Sequence, residues 1–200
     1  YASGVNRLSL GVQSFNDDIL RRLGRIHTGS EAEKAILTAK NLGFANISLD
    51  LMYGLPGQSL QALKNSVATA IALKPEHISI YGLQLEEGTV FFKQQTAGKL
   101  TLPTDAEAEA MYDYMTSFLP KSGYLHYEIS NFAKKGYESK HNMGYWQDVP
   151  YLGLGAAAHS YLAGQRYAAS TDIASYIAGV RTGEFALAQE EAADRNTSME

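Results

Sequence analysis

Three short stretches decide the fold: Arg7-Leu-Ser-Leu-Gly11, Asn46-Ile-Ser-Leu-Asp50 and His77-Ile-Ser-Ile-Tyr81. Each runs polar or basic residue, aliphatic, Ser, aliphatic. Side chains of a β-strand alternate between faces with period 2. Leu8, Leu10 and Val12 therefore share one face with Ile47, Leu49 and Leu51, and with Ile78 and Ile80. The opposite face carries Ser9, Gly11 and Gln13, then Ser48 and Asp50, then Ser79 and Tyr81.

The segments between these strands read as helices. Ser30 with Glu33 fits a capping box, and Ala35, Ile36, Ala39 and Leu42 form a stripe that stops at Gly43. Ser59 is placed to cap a second helix with the stripe Leu60, Leu63, Val67 and Ile71, and Pro75 lies just past its end. Strands alternating with helices predict βα units and a parallel sheet. A parallel sheet with helices on both faces is aliphatic on both. Here one face is small and polar, which suits the inside of a barrel. Three βα units do not close a barrel of eight. The chain starts without Met and directly in a strand-like pattern, which reads as a fragment boundary.

In such barrels ligands gather at the C-terminal ends of the strands. That places Gln13, Asp50, Tyr53 and Gln84 near the mouth, with the loop Tyr53-Gly-Leu-Pro-Gly-Gln58 just after the second strand. The expected architecture is α/β, a partial barrel over residues 1–103 followed by a small α+β subdomain over 104–200. Thr104 with Glu107 forms a capping box for a helix carrying Ala108, Met111, Met115, Phe118 and Leu119. Tyr124 to Phe132 alternates and is aromatic, so it reads as one strand. Gly153 to Leu162 starts glycine-rich and ends as a strand, Gln165 to Ala169 pairs with it through Ala163-Gly164, and Thr171 to Val180 reads as a helix. The acidic tail from Gln189 is expected to fray.

Composition narrows the function classes. The chain has 200 residues, 45% hydrophobic and 19% charged, with net charge −4. That is enough apolar content for a core and too little basic charge for a nucleic-acid footprint. No apolar run reaches membrane-spanning length and no signal peptide is visible, so a cytoplasmic protein is expected. With no cysteine, the chain supplies no thiolate to a disulfide, zinc site or iron–sulfur cluster. The inward face offers no histidine cluster with metal-ligand spacing, which argues against a metal-dependent barrel hydrolase.

Four blocks in order resemble the radical S-adenosylmethionine (SAM) family of oxygen-independent coproporphyrinogen III oxidases. They are Gly11-Val-Gln-Ser-Phe-Asn16 with Arg25, Asp50-Leu-Met-Tyr-Gly-Leu-Pro-Gly-Gln58, Tyr127-Glu-Ile-Ser-Asn-Phe-Ala133 and Gly153-Leu-Gly-Ala-Ala-Ala-His-Ser-Tyr161. The string His141-Asn-Met-Gly-Tyr-Trp146 is similar to a signature of that family's heme-chaperone branch. The resemblance implies SAM and a [4Fe–4S] cluster as cofactors, with the cluster held by a Cys-rich loop that this chain does not contain. The isolated chain is therefore expected to be inactive. It further implies that Gln13, Arg25 and Asp50 line the SAM pocket by side chain and Gln84 by backbone, with no catalytic residue assigned. His141, with Tyr145 one helical turn on, is a candidate heme contact, since a His on an aromatic helix face suits a porphyrin plane; the same face equally suits the docking of a domain. Heme or a porphyrin and heme-accepting proteins are the implied partners, and the open barrel edge is a place for self-association. The other reading within the family is an oxidative decarboxylase of coproporphyrinogen III.

Overall fold

The computed structural model describes residues 3–183 and the backbone of 187–192. It begins with β1 (Leu8–Gln13), α1 (Asp17–Arg22), α2 (Gly29–Asn41), β2 (Ile47–Tyr53), α3 (Leu60–Ala72) and β3 (His77–Gly82). The three strands pair in parallel, β1 with β2 and β2 with β3. Then come α4 (Val90–Thr96), α5 (Asp105–Lys121), β4 (Leu125–Glu128) and β5 (Asn131–Ala133). The five strands form one sheet in the order β1-β2-β3-β5-β4, with β5 antiparallel to β3 and to β4. As expected of an incomplete barrel, β1 lies at one edge of this sheet.

The chain divides into two compact units, Tyr1–Glu138 and Ser139–Glu200. The helix and strands expected in an appendage from residue 104 thus belong to the first unit instead. The physical reason is burial: Met111, Met115 and Leu119 of α5 lie in the same core as Leu63 and Val67 of α3 and Ile36 of α2. All pack on Ile47, Leu49, Leu51, Ile78 and Ile80. The aliphatic parity of the three strands is therefore the helix-facing side. Each such side chain contributes about 1.5–3 kcal/mol on full burial. A register slip of one residue would exchange this row for Ser48, Asp50 and Ser79.

Helix starts are set by side-chain caps. Ser59 caps α3, and Thr104 with Glu107 forms the reciprocal box at α5. The box at α2 is Thr28 with Glu31, not Ser30 with Glu33: the Thr28 backbone N–H donates to the Glu31 carboxylate at 2.8 Å. Both pairs have the required three-residue spacing. Thr28 wins because Gly29 starts the helix, donating its N–H to Asp17 Oδ1 at 2.8 Å.

The stretch Tyr124 to Phe132 is not one strand. It folds back at Ile129-Ser130, making the β4–β5 hairpin. The turn before β3 is held from three sides. Lys40 Nζ donates to the Leu73 and Lys74 carbonyls at 2.6 and 2.8 Å, Tyr124 OH donates to Pro75 O at 2.8 Å, and Lys134 pairs with Glu76 at 3.2 Å. Burial pushes the Tyr124 phenol up to about 12, so it stays a donor at any ordinary pH.

The second unit contains α6 (Lys140–Trp146), β6 (His159–Leu162), β7 (Gln165–Ala169), α7 (Ile173–Thr182) and β8 (Leu187–Ala192). β6 and β7 form the expected hairpin. Ala163 and Gly164 both have positive φ, +52° and +78°, as a two-residue turn of matching twist requires. β8 pairs with β7, so Gln189 to Ala192 lies in a strand rather than a frayed tail; the tail beyond lies outside the described residues. Among the described residues no helix is long and apolar enough to cross a membrane.

Candidate functional site

The face of the sheet away from the helices is organised in rows. Register aligns Ser9, Ser48, His77 and Ala133 in one row, and Gly11, Asp50, Ser79 and Asn131 in the next. These rows cross β1, β2, β3 and β5.

Asp50 is the charged centre. Ser9 Oγ donates to its two carboxylate oxygens at 3.1 and 3.3 Å, and Ser79 stands beside it in the same row, near enough for its hydroxyl to lower the Asp50 pKa. Burial raises the Asp50 pKa above its ordinary value, outweighing the lowering by the two serines and the Arg7 charge. A half-buried carboxylate beside two neutral hydroxyls is short of positive partners. It is suited to accept hydrogen bonds from ammonium or hydroxyl groups of a ligand.

Gln13 comes to the same place by a backbone irregularity. The β1–β2 register shifts between Gly11 and Gln13, and Gln13 has φ +65°. Its amide folds back over Gly11, where an added Cβ would stand 2.9 Å from Gln13 Nε2. Glycine at position 11 is thus what lets the Gln13 amide lie beside the row of Asp50.

The row below forms a floor. His77 is 1% exposed. Its Nδ1 is 2.8 Å from Ser48 Oγ and its Nε2 is 2.7 Å from Tyr127 OH. A neutral imidazole meets two hydroxyls with one donor and one acceptor nitrogen. Burial first, then the Arg7 charge, lowers the His77 pKa to about 4. The folded chain therefore binds fewer protons than the unfolded chain between about pH 4 and the ordinary histidine value of 6.5. Stability from the neutral ring is fully present above that window and is lost as pH falls through it, by an amount on the order of 2–3 kcal/mol. Asp50, shifted upward, has the opposite pH dependence. The histidine contribution is accordingly read as the difference between wild type and His77→Gln in melts from pH 4 to 7, with the variant expected to show the flatter curve.

The loop after β2 is closed on itself. Gln58 Nε2 donates to Met52 O at 3.1 Å while Gln58 Oε1 accepts from Leu55 N at 3.1 Å. Arg22 Nη1 donates to Pro56 O at 3.3 Å, and a Cβ on Gly57 would overlap the Arg22 guanidinium. Gly57 has φ +70°. Gly57→Ala is expected to cost about 1–2 kcal/mol from the left-handed backbone alone, plus the displacement of Arg22. Urea unfolding of Gly57→Ala with and without Arg22→Ala separates the two: the second change should recover only the overlap part.

Of the residues expected to line one pocket, Gln13 and Asp50 lie together. Arg25 is exposed, and among the described residues its side chain has no partner. Gln84 lies past the end of β3, exposed, and lines a cleft of about 470 Å³ with Arg22, Gly24, Glu86, Phe91 and Gln94. His141 is in the second unit, on α6, where the expected i, i+4 pair with Tyr145 forms: His141 Nε2 and Tyr145 OH are 2.8 Å apart. The Tyr145 ring stands edge-on to Tyr151 at 4.8 Å. Among the described residues no group of three or more His, Cys, Asp or Glu could hold a metal ion.

Three residues of the open face escaped sequence reasoning: His77, Tyr127 and Asn131. His77 was readable from parity with Ser79. Tyr127 and Asn131 required knowing that the chain turns at Ile129-Ser130. Asn131 is 3% exposed and its Oδ1 has no hydrogen-bond partner among the described residues.

Residues 2–70 match the model of the Radical SAM superfamily. The chain is 48% identical over 164 residues to Heme chaperone HemW of Bacillus subtilis (strain 168), covering 82% of this chain and 43% of that protein. It is 47% identical over 165 residues to Heme chaperone HemW of Lactococcus lactis subsp. lactis (strain IL1403), covering 82% and 44%. The chain belongs to the HemN/HemW-like radical SAM family. It spans less than half the length of these two relatives. Coproporphyrinogen III oxidase (HemN) from Escherichia coli, a radical SAM enzyme, has the same fold over 98% of this chain and 48% of its own, with TM-score 0.76 and 24% identity. Family membership sharpens the meaning of the open face: the parallel strands β1 to β3 are barrel strands, and their polar side is the inside.

Proposed function

We propose that this chain is the SAM-facing half of a radical SAM protein that handles heme. The observation that carries the reading is the convergence of Gln13 and Asp50 on the inner face, in a chain 47% and 48% identical to proteins named heme chaperones. The donor set fits SAM. Asp50 would accept from its hydroxyls or ammonium, and the Gln13 amide would donate or accept beside it. The exposed guanidinium of Arg25 would close on the carboxylate of SAM, and the backbone near Gln84 would line the same pocket. SAM bound beside a reduced [4Fe–4S] cluster supplies the radical chemistry, which belongs to the cofactor. A cluster does not fit this chain by itself, because none of its 200 residues is a cysteine. Its own residues bind and orient.

His141 is proposed as a contact to heme, with Tyr145 hydrogen-bonded behind it to fix the ring. Heme-accepting proteins are the partners this reading implies. The test uses the full-length protein, reconstituted with iron and sulfide. Heme titration should develop a Soret band that weakens in His141→Ala, and coproporphyrinogen III with SAM should give no decarboxylated product. Turnover of coproporphyrinogen III would overturn the chaperone reading in favour of the oxidase. An unchanged Soret spectrum in His141→Ala would remove that residue from the heme site.

A further inference from the structure

Asn131 stands out among the inner-face residues as a buried side chain whose Oδ1 has no hydrogen-bond partner among the described residues. Phe132, next to it, points into the core, so Asn131 points to the open side of the sheet. It sits directly opposite Ser79, which sits directly opposite Asp50. A serine hydroxyl has a single proton to donate, and Ser79 stands between Asn131 and Asp50 in register. Asn131 Oδ1 is buried and unpaired among the described residues, a net loss to the folded chain that a fold alone would remove by an apolar residue. Two strand spacings separate Asn131 from Asp50, roughly 10 Å. One small molecule lying across β2 and β3 reaches both.

A carboxamide presents a donor and an acceptor side by side. Its natural complement is a planar edge with the same pair reversed, as in the amino group and ring nitrogen of adenine. A carboxylate one residue row along is the natural partner of hydroxyl or ammonium groups. We propose that Asn131 is a specificity-determining contact that reads the adenine edge of the nucleoside ligand whose sugar or amino-acid part Asp50 holds. This rests on the reading that the inner face holds SAM, and it assigns the base recognition to the hairpin strand β5 rather than to a parallel strand.

The experiment is calorimetric titration of the full-length, cluster-reconstituted protein with S-adenosylhomocysteine and with its inosine counterpart, in which oxygen replaces the 6-amino group. Wild type should prefer the adenine compound by about 10-fold or more. Asn131→Leu should lower affinity for it about 10-fold and abolish the preference, while the melting temperature without ligand stays equal or rises, since the unpaired oxygen is gone. Asn131→Ser, too short to reach, should give the same loss and guards against misfolding of the leucine variant. Wild-type affinity and preference in both variants would overturn the assignment, as would a wild type indifferent to the two compounds. Asp50→Asn separates the two levels. If it weakens binding while the Asn131 variants do not, only the Asn131 assignment falls. If wild type binds neither compound, or Asp50→Asn binds as wild type does, the SAM reading falls and takes the assignment with it.

Discussion

Phe132→Ala is expected to destabilise the first unit by about 3–5 kcal/mol, the range for truncating a fully buried aromatic side chain. Phe132 is 1% exposed and lies in the central core cluster. Its ring stacks on that of His126 at 4.4 Å between centroids, and it pairs in register with Ile78 of β3. β5 has only three residues, Asn131–Ala133. Few ladder hydrogen bonds hold so short a strand, so Phe132 is its main anchor. Domains of this size are stable by about 5–15 kcal/mol, and the loss is therefore a large share of the total. Urea unfolding followed by far-ultraviolet circular dichroism measures it. Phe132→Leu, which keeps most of the volume, should cost much less. Equal effects of the two variants would show that the site collapses around the cavity and that the hairpin is anchored elsewhere.

On the proposed reading, Asp50→Ala in the full-length, cluster-reconstituted protein should weaken SAM binding by about 10- to 100-fold, the range for losing a hydrogen bond to a charged group, without lowering the stability of the ligand-free protein. The two parts come from one cause. Burial raises the Asp50 pKa, which means that the folded chain carries this carboxylate at a loss. Removing it relieves that loss, although Ser9 gives up a partner. A residue kept for folding would show the reverse, with stability reduced and binding intact. Titration calorimetry with SAM and a ligand-free thermal melt on the same preparation decide between them.

Much of this fold is legible locally. The three aliphatic–Ser–aliphatic stretches became parallel strands with the expected sides inward and outward, and Ser59 and Thr104 became caps. The four blocks of resemblance led to the right family. Where local reading failed, two patterns of equal quality competed. Ser30 with Glu33 and Thr28 with Glu31 have the same spacing, and only the Asp17 carboxylate accepting from Gly29 N chose between them. Alternation from Tyr124 to Phe132 fits one strand or two, because a turn with no Gly, Pro or Asn at its centre leaves no mark. The site was half legible for the same reason. Gln13 and Asp50 follow from parity and resemblance, whereas Arg25 lies on a loop whose side-chain direction no period encodes.

By itself the sequence determined the period of β1 to β3, the face each of their residues occupies and the family resemblance, since these depend on short local patterns. Only the tertiary structure decided that the β4–β5 hairpin folds back onto β3, where β4 brings Tyr127 to His77 and β5 brings Asn131 to Ser79. The first of those contacts joins residues 50 positions apart. Burial of Phe132 with Ile78 drives it, and that gain appears only once the sheet and α5 have assembled the core they share.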